Sequence, residues 1–466
     1  MRTNAVLTIP VPRTLSDAFG PYAAFVVALA MLFGGGTRQG LWSDVLVELP
    51  ALLLLPWAIS RLAARQLGRL GRWALVLFCA IVVLPLLQLV PLPPALWSAL
   101  AGRGQFAAAY QAVGMPIPWM PITLAPNETW RGFLSLLPSA TIFLTMLSLD
   151  AKARRVLVII VLAFALISVP LDLLQMLDGL DSALRFYAIT NLDRAVGFFA
   201  NANHQAAFLY CAIPLAAAFA LKTPDGRGQS RRYDSLILTL SLAGIVVAIS
   251  LTLSRAGAIL GFVSGLLSLA LALRHHRGRS GRRLLIYAAG AIAAALLIGF
   301  QFGFVDMLQR TADIGLMGDL RWPVAEVTWR AARNFLPLGS GFGTFVPVYE
   351  IFAPPTLLHR EYVNHAHDDW LELWLTGGVP ALVLLAGFLL WFFSAAIPAW
   401  LRDHSSIGVR DIALARAGSI VVLLLLAHSI VDYPLRTIDL SVLLAICCGL
   451  LIPSIRADRG TESVTG

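Results

Sequence analysis

Long apolar runs recur along the chain and alternate with shorter polar connections. A helix needs about 20 predominantly apolar residues to cross the hydrocarbon core of a bilayer, and each run approaches that length. The pattern therefore predicts an all-α polytopic membrane protein with about 12 transmembrane helices. The runs lie near residues 18–34, 42–60, 73–92, 132–149, 156–177, 205–221, 234–253, 256–273, 284–305, 369–393, 412–430 and 437–454.

Composition favours one membrane domain. Hydrophobic residues make up 58% of the chain and charged residues 13%, with a mean hydropathy of +0.77. We expect a single transmembrane domain over residues 1–455 and a cytoplasmic tail over 456–466. The first run lacks a small-residue cleavage site, which predicts an uncleaved first helix. Because the four cysteines lie inside apolar runs without a CxxC spacing, we expect them to pack as small apolar residues.

Basic residues are concentrated in alternate connections, which predicts the orientation of the chain. They cluster at residues 61–72, 152–155, 222–232, 274–283 and 402–416. Cytoplasmic loops carry an excess of lysine and arginine, so these connections and both termini are predicted to be cytoplasmic. The net charge of +9 then belongs mainly to loops facing anionic lipid, and we expect no nucleic-acid partner.

Three connections on the opposite face are long, and long loops are often functional. They span roughly residues 93–131, 178–204 and 306–368, the last preceding the tenth predicted helix. In the first, Trp97, Trp119 and Trp130 fit an interfacial aromatic belt. In the third, the amphipathic stretch 324–334 fits a helix lying along the membrane surface. The glycines after Pro337 form no nucleotide loop, since they follow no strand and lack the Lys-Ser/Thr ending.

Twelve bases fall on the predicted outer face, and all are arginines. The chain has only two lysines, so composition alone explains much of this choice. Arginine nevertheless presents a planar fork suited to bidentate phosphate contacts, which makes these positions the candidates for an anion site. They are Arg38, Arg103, Arg131, Arg185, Arg194, Arg255, Arg310, Arg321, Arg330, Arg333, Arg360 and Arg436.

The segment Asn364–Glu372 places two histidines and three acids before an apolar run. His365 and His367 would point apart on a helix and share a side in an extended segment. Asp368 and Asp369 fall at the predicted helix start, where carboxylates cap free amides. A zinc or manganese site is an alternative, but the sequence shows no second ligand cluster, so we predict no metal. Histidines beside arginines favour acid–base catalysis.

Three other polar groups stand out in the pattern. Arg255 lies between two apolar runs and either snorkels to the interface or binds an anion. Asp432 and Arg436 are four residues apart and are predicted to pair with each other. The polar pair Asp172 and Gln175 is interpreted as packing residues near the outer end of the fifth run.

Five motifs in this order resemble the O-antigen ligase and O-antigen polymerase family. The resemblance covers roughly residues 120–450. It implies a bacterial inner-membrane glycosyltransferase with its active site facing the periplasm. The motifs are Phe198-Phe199-Ala200-Asn201-Ala202-Asn203-His204, Ser254-Arg255-Ala256-Gly257, Arg321 with Pro337-Leu338-Gly339-Ser340-Gly341, His365-Ala366-His367-Asp368, and Asp432-Tyr433-Pro434-Leu435-Arg436.

The resemblance also implies roles for residues. Arg255 and Arg321 match the arginines that bind the pyrophosphate of an undecaprenyl-pyrophosphate-linked glycan donor, and His367 matches the essential histidine. Further substrate-binding candidates are Arg131, Arg194, His365 and Asp368. The family usually has His-Asn where this chain has His367-Asp368, which leaves open whether Asp368 orients His367. No cofactor is implied, and transfer is expected to be independent of metal.

The sequence leaves alternatives open for the acceptor and for the class of function. A glycan, a lipid A core or a protein side chain are all possible acceptors within the family, so ligase, polymerase and protein O-oligosaccharyltransferase activities stay open. A polysaccharide or lipid transporter or flippase is the alternative outside the enzyme class. Transport would predict charges at mid-membrane and symmetric halves. Here the notable charges collect at one face, which favours the enzyme.

Overall fold

The computed structural model describes residues 13–38, 40–221, 242–275, 321–357, 363–402 and 408–454. It confirms the all-α class, apart from one pair of two-residue strands. The elements are α1 Arg13–Phe33, α2 Trp42–Ala63, α3 Arg69–Gln88, β1 Pro91–Leu92, α4 Pro94–Ala99, α5 Gly104–Ala112, β2 Met120–Pro121, α6 Pro126–Ser148, α7 Ala151–Asp178, α8 Ala202–Ala220, α9 Leu242–Leu251, α10 Arg255–His275, α11 Arg321–Asn334, α12 Phe345–Phe352, α13 Asp369–Leu401, α14 Val409–His428 and α15 Ile438–Leu451.

Six helices of the described ranges are long and apolar enough to cross a bilayer: α2, α3, α6, α7, α10 and α13. The chain is thus a multi-pass membrane protein. Shorter apolar helices occur in α1, α9 and α15. The predicted span at 284–305 lies outside the described residues, as does part of the span at 234–253. The count of twelve spans and the side of the membrane that each loop occupies stay predictions.

A main core joins the apolar helices, and residues from α1, α2, α6, α7, α8, α14 and α15 are fully buried in it. Cys211, Cys447 and Cys448 lie in this core, whereas Cys79 is exposed on α3, and all four are free thiols. Cys79 therefore departs from the predicted packing role.

The loop between α3 and α6 is folded onto the bundle. Strands β1 and β2 pair antiparallel, and the Trp97 indole nitrogen donates to the Pro121 carbonyl over 2.9 Å. Trp97 is completely buried, whereas Trp119 and Trp130 are 66% and 49% exposed. An interfacial belt therefore fits Trp119 and Trp130 only, and the prediction was wrong for Trp97 because its indole packs under the strand pair.

Helix α11 confirms the amphipathic helix predicted in the long loop, but its apolar face packs inward. Val324, Val327 and Ala331 are buried in a second, smaller core with residues of α12 and with Leu375 of α13. Only Trp329 of the predicted membrane-facing positions is exposed, at 48%. The prediction of a helix lying on the bilayer was wrong because α12 and α13 supply a protein surface for that face.

Helix α13 is interrupted near its start, and the interruption is fastened to the loop after α11. Gly378 has a φ of 58°, a conformation that favours glycine. The amides of Ser340 and Gly341 donate to the carbonyls of Leu375 and Thr376 over 2.9 and 3.0 Å. Backbone that leaves helical geometry at membrane depth needs such internal partners. The first turns of α13 are therefore held rigidly against the loop that follows α11.

Candidate active site

The structure brings the segment before α13 against the turn between α14 and α15. We call the group His204, Arg321, His365, His367, Asp432 and Tyr433 the His367 cluster. Its members come from α8, α11, the segment 363–368 and the turn 429–437, so four separate parts of the chain build it. It combines histidine, arginine and carboxylate at the mouth of an apolar bundle.

His367 lies outside any helix and has one ring nitrogen held by the protein. Its backbone φ is 53°, an uncommon value for a residue with a side chain, and such values concentrate at functional sites. The Nδ1 nitrogen lies 3.3 Å from Oδ1 of Asp432, and the side chain is 29% exposed. No described residue bonds to Nε2. The outer nitrogen is thus accessible to a substrate.

Asp432 is the carboxylate on which the cluster converges. Its side chain is completely buried. Oδ2 accepts a hydrogen bond from the amide of Asn203 and lies 3.4 Å from Nη2 of Arg321. Oδ1 also accepts from the Tyr433 backbone amide over 2.9 Å and lies 3.9 Å from Nε2 of His204. A buried carboxylate with this many donors is a fixed negative charge.

These partners keep Asp432 ionised. Burial alone would raise its pKa, because desolvation disfavours the charged form. The hydrogen bond from His367, together with the electrostatic interactions of the histidines and Arg321, lowers the pKa below its ordinary value instead. Since Asp432 is an acceptor only, the Nδ1 of His367 carries the hydrogen and donates it. The neutral His367 ring then has its acceptor at Nε2.

His365 is engaged on both sides of its ring. Nδ1 donates to the Glu372 carboxylate over 3.1 Å, and Nε2 lies 3.2 Å from the carbonyl of Thr37 in the loop after α1. Glu372 also accepts from the backbone amide of Ala366 over 3.0 Å. His365 therefore positions the segment, and His367 is the histidine with a nitrogen available for substrate.

The Tyr433 ring packs against three histidine rings. Its centroid lies 4.4 Å from that of His365, 4.8 Å from His204 and 5.0 Å from His367. Burial, followed by the nearby Asp432 charge, raises the pKa of the Tyr433 hydroxyl above its ordinary value. The rings of His365 and His367 both contact Tyr433, so the two histidines lie on one side of their segment, as the sequence predicts for residues outside a helix.

Asp368 caps helix α13 and does not orient His367. Its Oδ1 accepts from the backbone amides of Trp370 and Leu371 over 2.9 and 3.0 Å, the contacts of an N-cap residue. The carboxylate that orients His367 is Asp432. The question left open by the sequence is answered by geometry, and the capping interpretation is confirmed for Asp368.

We expect Asp368→Ala to destabilise the protein by about 1 kcal/mol, the usual cost of losing an N-cap. Asp368→Asn keeps an N-cap side chain of similar strength and is the matched control. Thermal unfolding in detergent measures both. A lowered midpoint for the alanine variant alone is the expected result, and equal losses in both variants would contradict a capping role.

The predicted pairing of Asp432 with Arg436 was wrong. Arg436 binds Asp369 over 3.0 Å and lies 3.6 Å from Glu372. The interactions with Glu372 and Asp369 raise the pKa of Arg436 against the opposing effect of burial. The turn between α14 and α15 contains a short 3-10 helix at Pro434–Arg436, so the α-helical spacing rule does not apply. Arg436 therefore holds the start of α13 against this turn.

Arg255 begins α10 at the end of the bundle where α8 also begins. Ser254 accepts a hydrogen bond from the Gly257 amide over 3.0 Å, which caps α10. A Cβ added at Gly257 would lie 2.5 Å from the Cβ of Ala206, so the two helix starts are in close contact. Arg255 is exposed at this end of the bundle, near the first turn of α8. The side-chain amide of Asn203 in that turn donates a hydrogen bond to Asp432.

Arg131 and Arg194 lie at the margin of the site. Arg131 pairs with Glu128 over 2.9 Å, is about half exposed, and packs against Gly40 in the loop that holds His365. Arg194 pairs with Asp193 over 3.0 Å, next to Ala195, whose amide donates to the end of α9. Neither contacts His367 directly in the described hydrogen bonds and ion pairs.

Several other outer arginines have structural partners. Arg103 is buried, donates to the carbonyls of Ile122 and Gly339, and has its pKa lowered by burial to about 10. Arg185 donates to three carbonyls between residues 191 and 194. Arg310 and Arg360 lie outside the described residues.

Asp172 and Gln175 fasten the loop that leads into α8. Gln175 accepts from the Gly197 amide over 2.9 Å, and Asp172 accepts from Gln205 over 2.7 Å. Both are completely buried. Their interpretation as packing residues agrees with these contacts. Within the described ranges, no three His, Cys, Asp or Glu side chains group as a metal site.

Three members of the cluster were missed as site residues: His204, Tyr433 and Asp432, the last of which was predicted only to pair with Arg436. His204 and Tyr433 stood in the quoted motifs without an assigned role, and His204 contacts the cluster only because α8 packs beside the turn 429–437. The signal that was present is the occurrence of a histidine and two asparagines at the start of an otherwise apolar helix.

The family comparison covers part of this site, including Arg321, His365 and His367. Residues 239–386 match a family model described as O-antigen ligase. The matched region contains three of the five motifs, including those of Arg255, Arg321 and His367. A search of curated proteins gave no match. The family match supports an O-antigen ligase type of membrane enzyme and confirms the resemblance to the O-antigen ligase family that the motifs predict.

Proposed function

We propose that the protein is an inner-membrane glycosyltransferase that moves a glycan from undecaprenyl pyrophosphate to an acceptor on the periplasmic face. The type is an O-antigen ligase or an O-antigen or exopolysaccharide polymerase. One observation carries the proposal: the buried Asp432 holds both His367 and Arg321. A candidate base and a candidate phosphate-binding cation are therefore fixed on the same carboxylate.

His367 acts as the general base in this proposal. Its Nε2 takes the proton from the acceptor hydroxyl while the hydroxyl oxygen forms a bond to the anomeric carbon of the donor glycan. The bond between that carbon and the phosphate oxygen breaks, and its electron pair leaves with undecaprenyl pyrophosphate. Asp432 is a positioning residue that selects the Nδ1-protonated ring and stabilises the imidazolium formed.

Arg321 and Arg255 stabilise the leaving pyrophosphate. Charge develops on the phosphate oxygen as the glycosidic bond breaks, and cations fixed at that point lower the barrier. Arg321 is 34% exposed, so substrate can reach its guanidinium beside Asp432. Arg131 and Arg194 border the site and would contact outer parts of the glycan or the diphosphate. Because arginines neutralise the charge of the leaving pyrophosphate in this proposal, the transfer reaction needs no divalent ion.

The position of the site favours a lipid-linked donor. The cluster lies where α8, α10, α13 and α15 begin and α14 ends. The basic connections 61–72, 152–155 and 402–416 lie at the other ends of their helices. The positive-inside rule would then place the cluster outside the cytoplasm, where a polyprenyl-linked glycan is a natural donor and nucleotide sugars are absent.

We expect Arg321→Ala to reduce transfer by about 10²–10³-fold, the range for loss of one group that stabilises developing charge. Arg330→Ala removes an equal charge from the same helix at an exposed position paired with Glu326 and is the matched control. Initial rates with purified protein measure both. If Arg321→Ala kept the rate of Arg330→Ala, Arg321 would have no place in the mechanism.

Deletion of the gene tests the function in cells. Analysis of the lipid-linked pool and the surface polymer distinguishes the acceptor types. Single repeat units that stay on lipid would indicate a polymerase, and long chains stranded on lipid would indicate a ligase. An unchanged lipid-linked pool together with normal surface polymer would contradict the proposal.

A further inference from the structure

A cavity of about 350 Å³ lies at the end of the bundle away from the His367 cluster. Helices α13, α14 and α15 each run from the cluster at one end to the cavity at the other, since Ala399, Ile412 and Leu450 line it. Its volume is within the range of small-molecule binding sites. It belongs to the face that the basic connections predict to be cytoplasmic.

The polar part of the cavity wall is basic. Among the described residues, Lys152, Arg154, Arg155 and Arg402 line it together with two carboxylates, Asp150 and Asp411. Helices α7 and α14 both begin at this wall, which adds the positive ends of two helix dipoles. The balance of charge therefore favours an anion.

Hydrogen bonds hold the charged groups of this wall in place. Arg154 is 4% exposed and donates through Nη1 to the carbonyls of Gly449 and Ile452, while its buried Nε has no partner among the described residues. Asp150 accepts from the amide of Ala153 over 2.8 Å as the cap of α7. Asp150 therefore caps the backbone of α7, and Asp411 lies 3.9 Å from Nε of Arg155. Lys152, Arg402 and the buried Nε of Arg154 make no described ion pair or hydrogen bond with these two carboxylates.

The cavity also has an apolar wall. Leu70, Ala395, Ala399 and Leu451 lie on it beside the basic groups. A free phosphate has no apolar part that could bind such a wall, whereas a phospholipid places an anionic headgroup next to acyl chains. The anionic lipids of the cytoplasmic leaflet also attract basic residues that lie near the membrane surface.

We propose that this cavity binds the phosphate headgroup of an anionic phospholipid. Lys152, Arg155 and Arg402 contact the phosphate, and the acyl chain lies along the apolar wall. The ligand stabilises the meeting point of α3, α7, α13, α14 and α15. The proposal is independent of glycan transfer, because it concerns the opposite end of the bundle and its readout is binding.

Thermal unfolding of the full-length protein in detergent tests this site. Dioctanoyl phosphatidylglycerol, dioctanoyl phosphatidylcholine and inorganic phosphate are titrated separately. A ligand that binds only the folded state raises the unfolding midpoint, and the stabilisation grows with the logarithm of one plus the ratio of free ligand to Kd. We expect phosphatidylglycerol to raise the midpoint with this logarithmic dependence on concentration, and we expect no increase with the other two. An equal increase with phosphatidylcholine, or with inorganic phosphate, would overturn the anionic-lipid assignment.

Charge variants locate the effect. Lys152→Gln/Arg155→Gln is expected to weaken phosphatidylglycerol binding by about 30-fold, since each base near anionic lipid contributes about a five-fold gain. Both side chains are partly or fully exposed, so folding should survive their replacement. The matched control is Arg72→Gln/Arg274→Gln, two exposed bases that do not line the cavity. Equal weakening in both double variants would show a general surface effect and contradict the site.

Discussion

His367→Ala is expected to lower the rate of glycan transfer by about 10²–10⁴-fold, the contribution of a positioned general base. The imidazole is the one group in the described cluster with an accessible nitrogen on a ring oriented by a buried carboxylate. Its removal leaves the acceptor hydroxyl without a proton acceptor. Initial rates with purified protein, normalised to the amount of folded enzyme, give the measurement.

His367→Gln separates chemistry from packing. The glutamine amide can donate to Asp432 as the imidazole does, but it cannot take a proton at neutral pH. We therefore expect this variant to unfold at the wild-type midpoint and to be as inactive as the alanine variant. Substantial activity in the glutamine variant would remove proton transfer from the role of His367.

Asp432→Asn is the second change expected to have a large effect. Loss of the carboxylate lets the His367 ring adopt the wrong tautomer, and in such dyads the rate falls by about 10²–10⁴-fold. It also removes the negative charge that lies 3.4 Å from Nη2 of Arg321. Because a positioning residue acts on the chemical step, kcat should fall while the KM for the lipid-linked donor stays within a few-fold of wild type.

Asp369→Asn is the matched buried-carboxylate control. Asp369 pairs with Arg436 and binds Ser429, and it makes no described contact with His367. Breaking a buried pair destabilises the fold, so this variant should have a lower unfolding midpoint but keep its kcat per folded molecule. If the two variants had the same effects on midpoint and kcat, Asp432 would be structural only.

The helices could be predicted from the sequence because the bilayer imposes length and polarity on each span. The run at 132–149 corresponds to α6, which begins earlier at Pro126. Its polar first turn, with Glu128 and Arg131 paired, lies outside the apolar run and is invisible to a hydropathy pattern. Boundaries thus depend on local polar contacts more than on the apolar pattern.

The partners of Asp432 could not be predicted from sequence. Along the chain, Arg321 lies 111 residues from Asp432 and His367 lies 65 residues from it. Arg436 lies four residues from Asp432, a spacing that would pair the two on a helix. Only the tertiary fold, which brings the first residue of α11 and the segment before α13 to the turn 429–437, decides which cation reaches the carboxylate. The resemblance identified Arg321 and His367 as functional candidates, but it did not indicate that one buried acid holds both.

The direction of the α11 face shows the same limit. An apolar stripe on a surface helix predicts a partner without specifying protein or lipid. Val327 and Ala331 pack against protein because the loop after Pro337 fastens the broken start of α13 nearby. This contact between the loop and α13 depends on backbone hydrogen bonds from Ser340 and Gly341, which hydrophobic periodicity cannot predict.

Transfer in a purified system is the most direct test of the central claim. The wild-type protein in detergent is mixed with an undecaprenyl-pyrophosphate-linked glycan and an acceptor in the presence of EDTA. The account predicts that the acceptor gains glycan as an equal amount of undecaprenyl pyrophosphate is released, and that His367→Gln does neither. An intact donor after incubation with wild-type enzyme and a competent acceptor, or transfer restored only by a divalent ion, would contradict it.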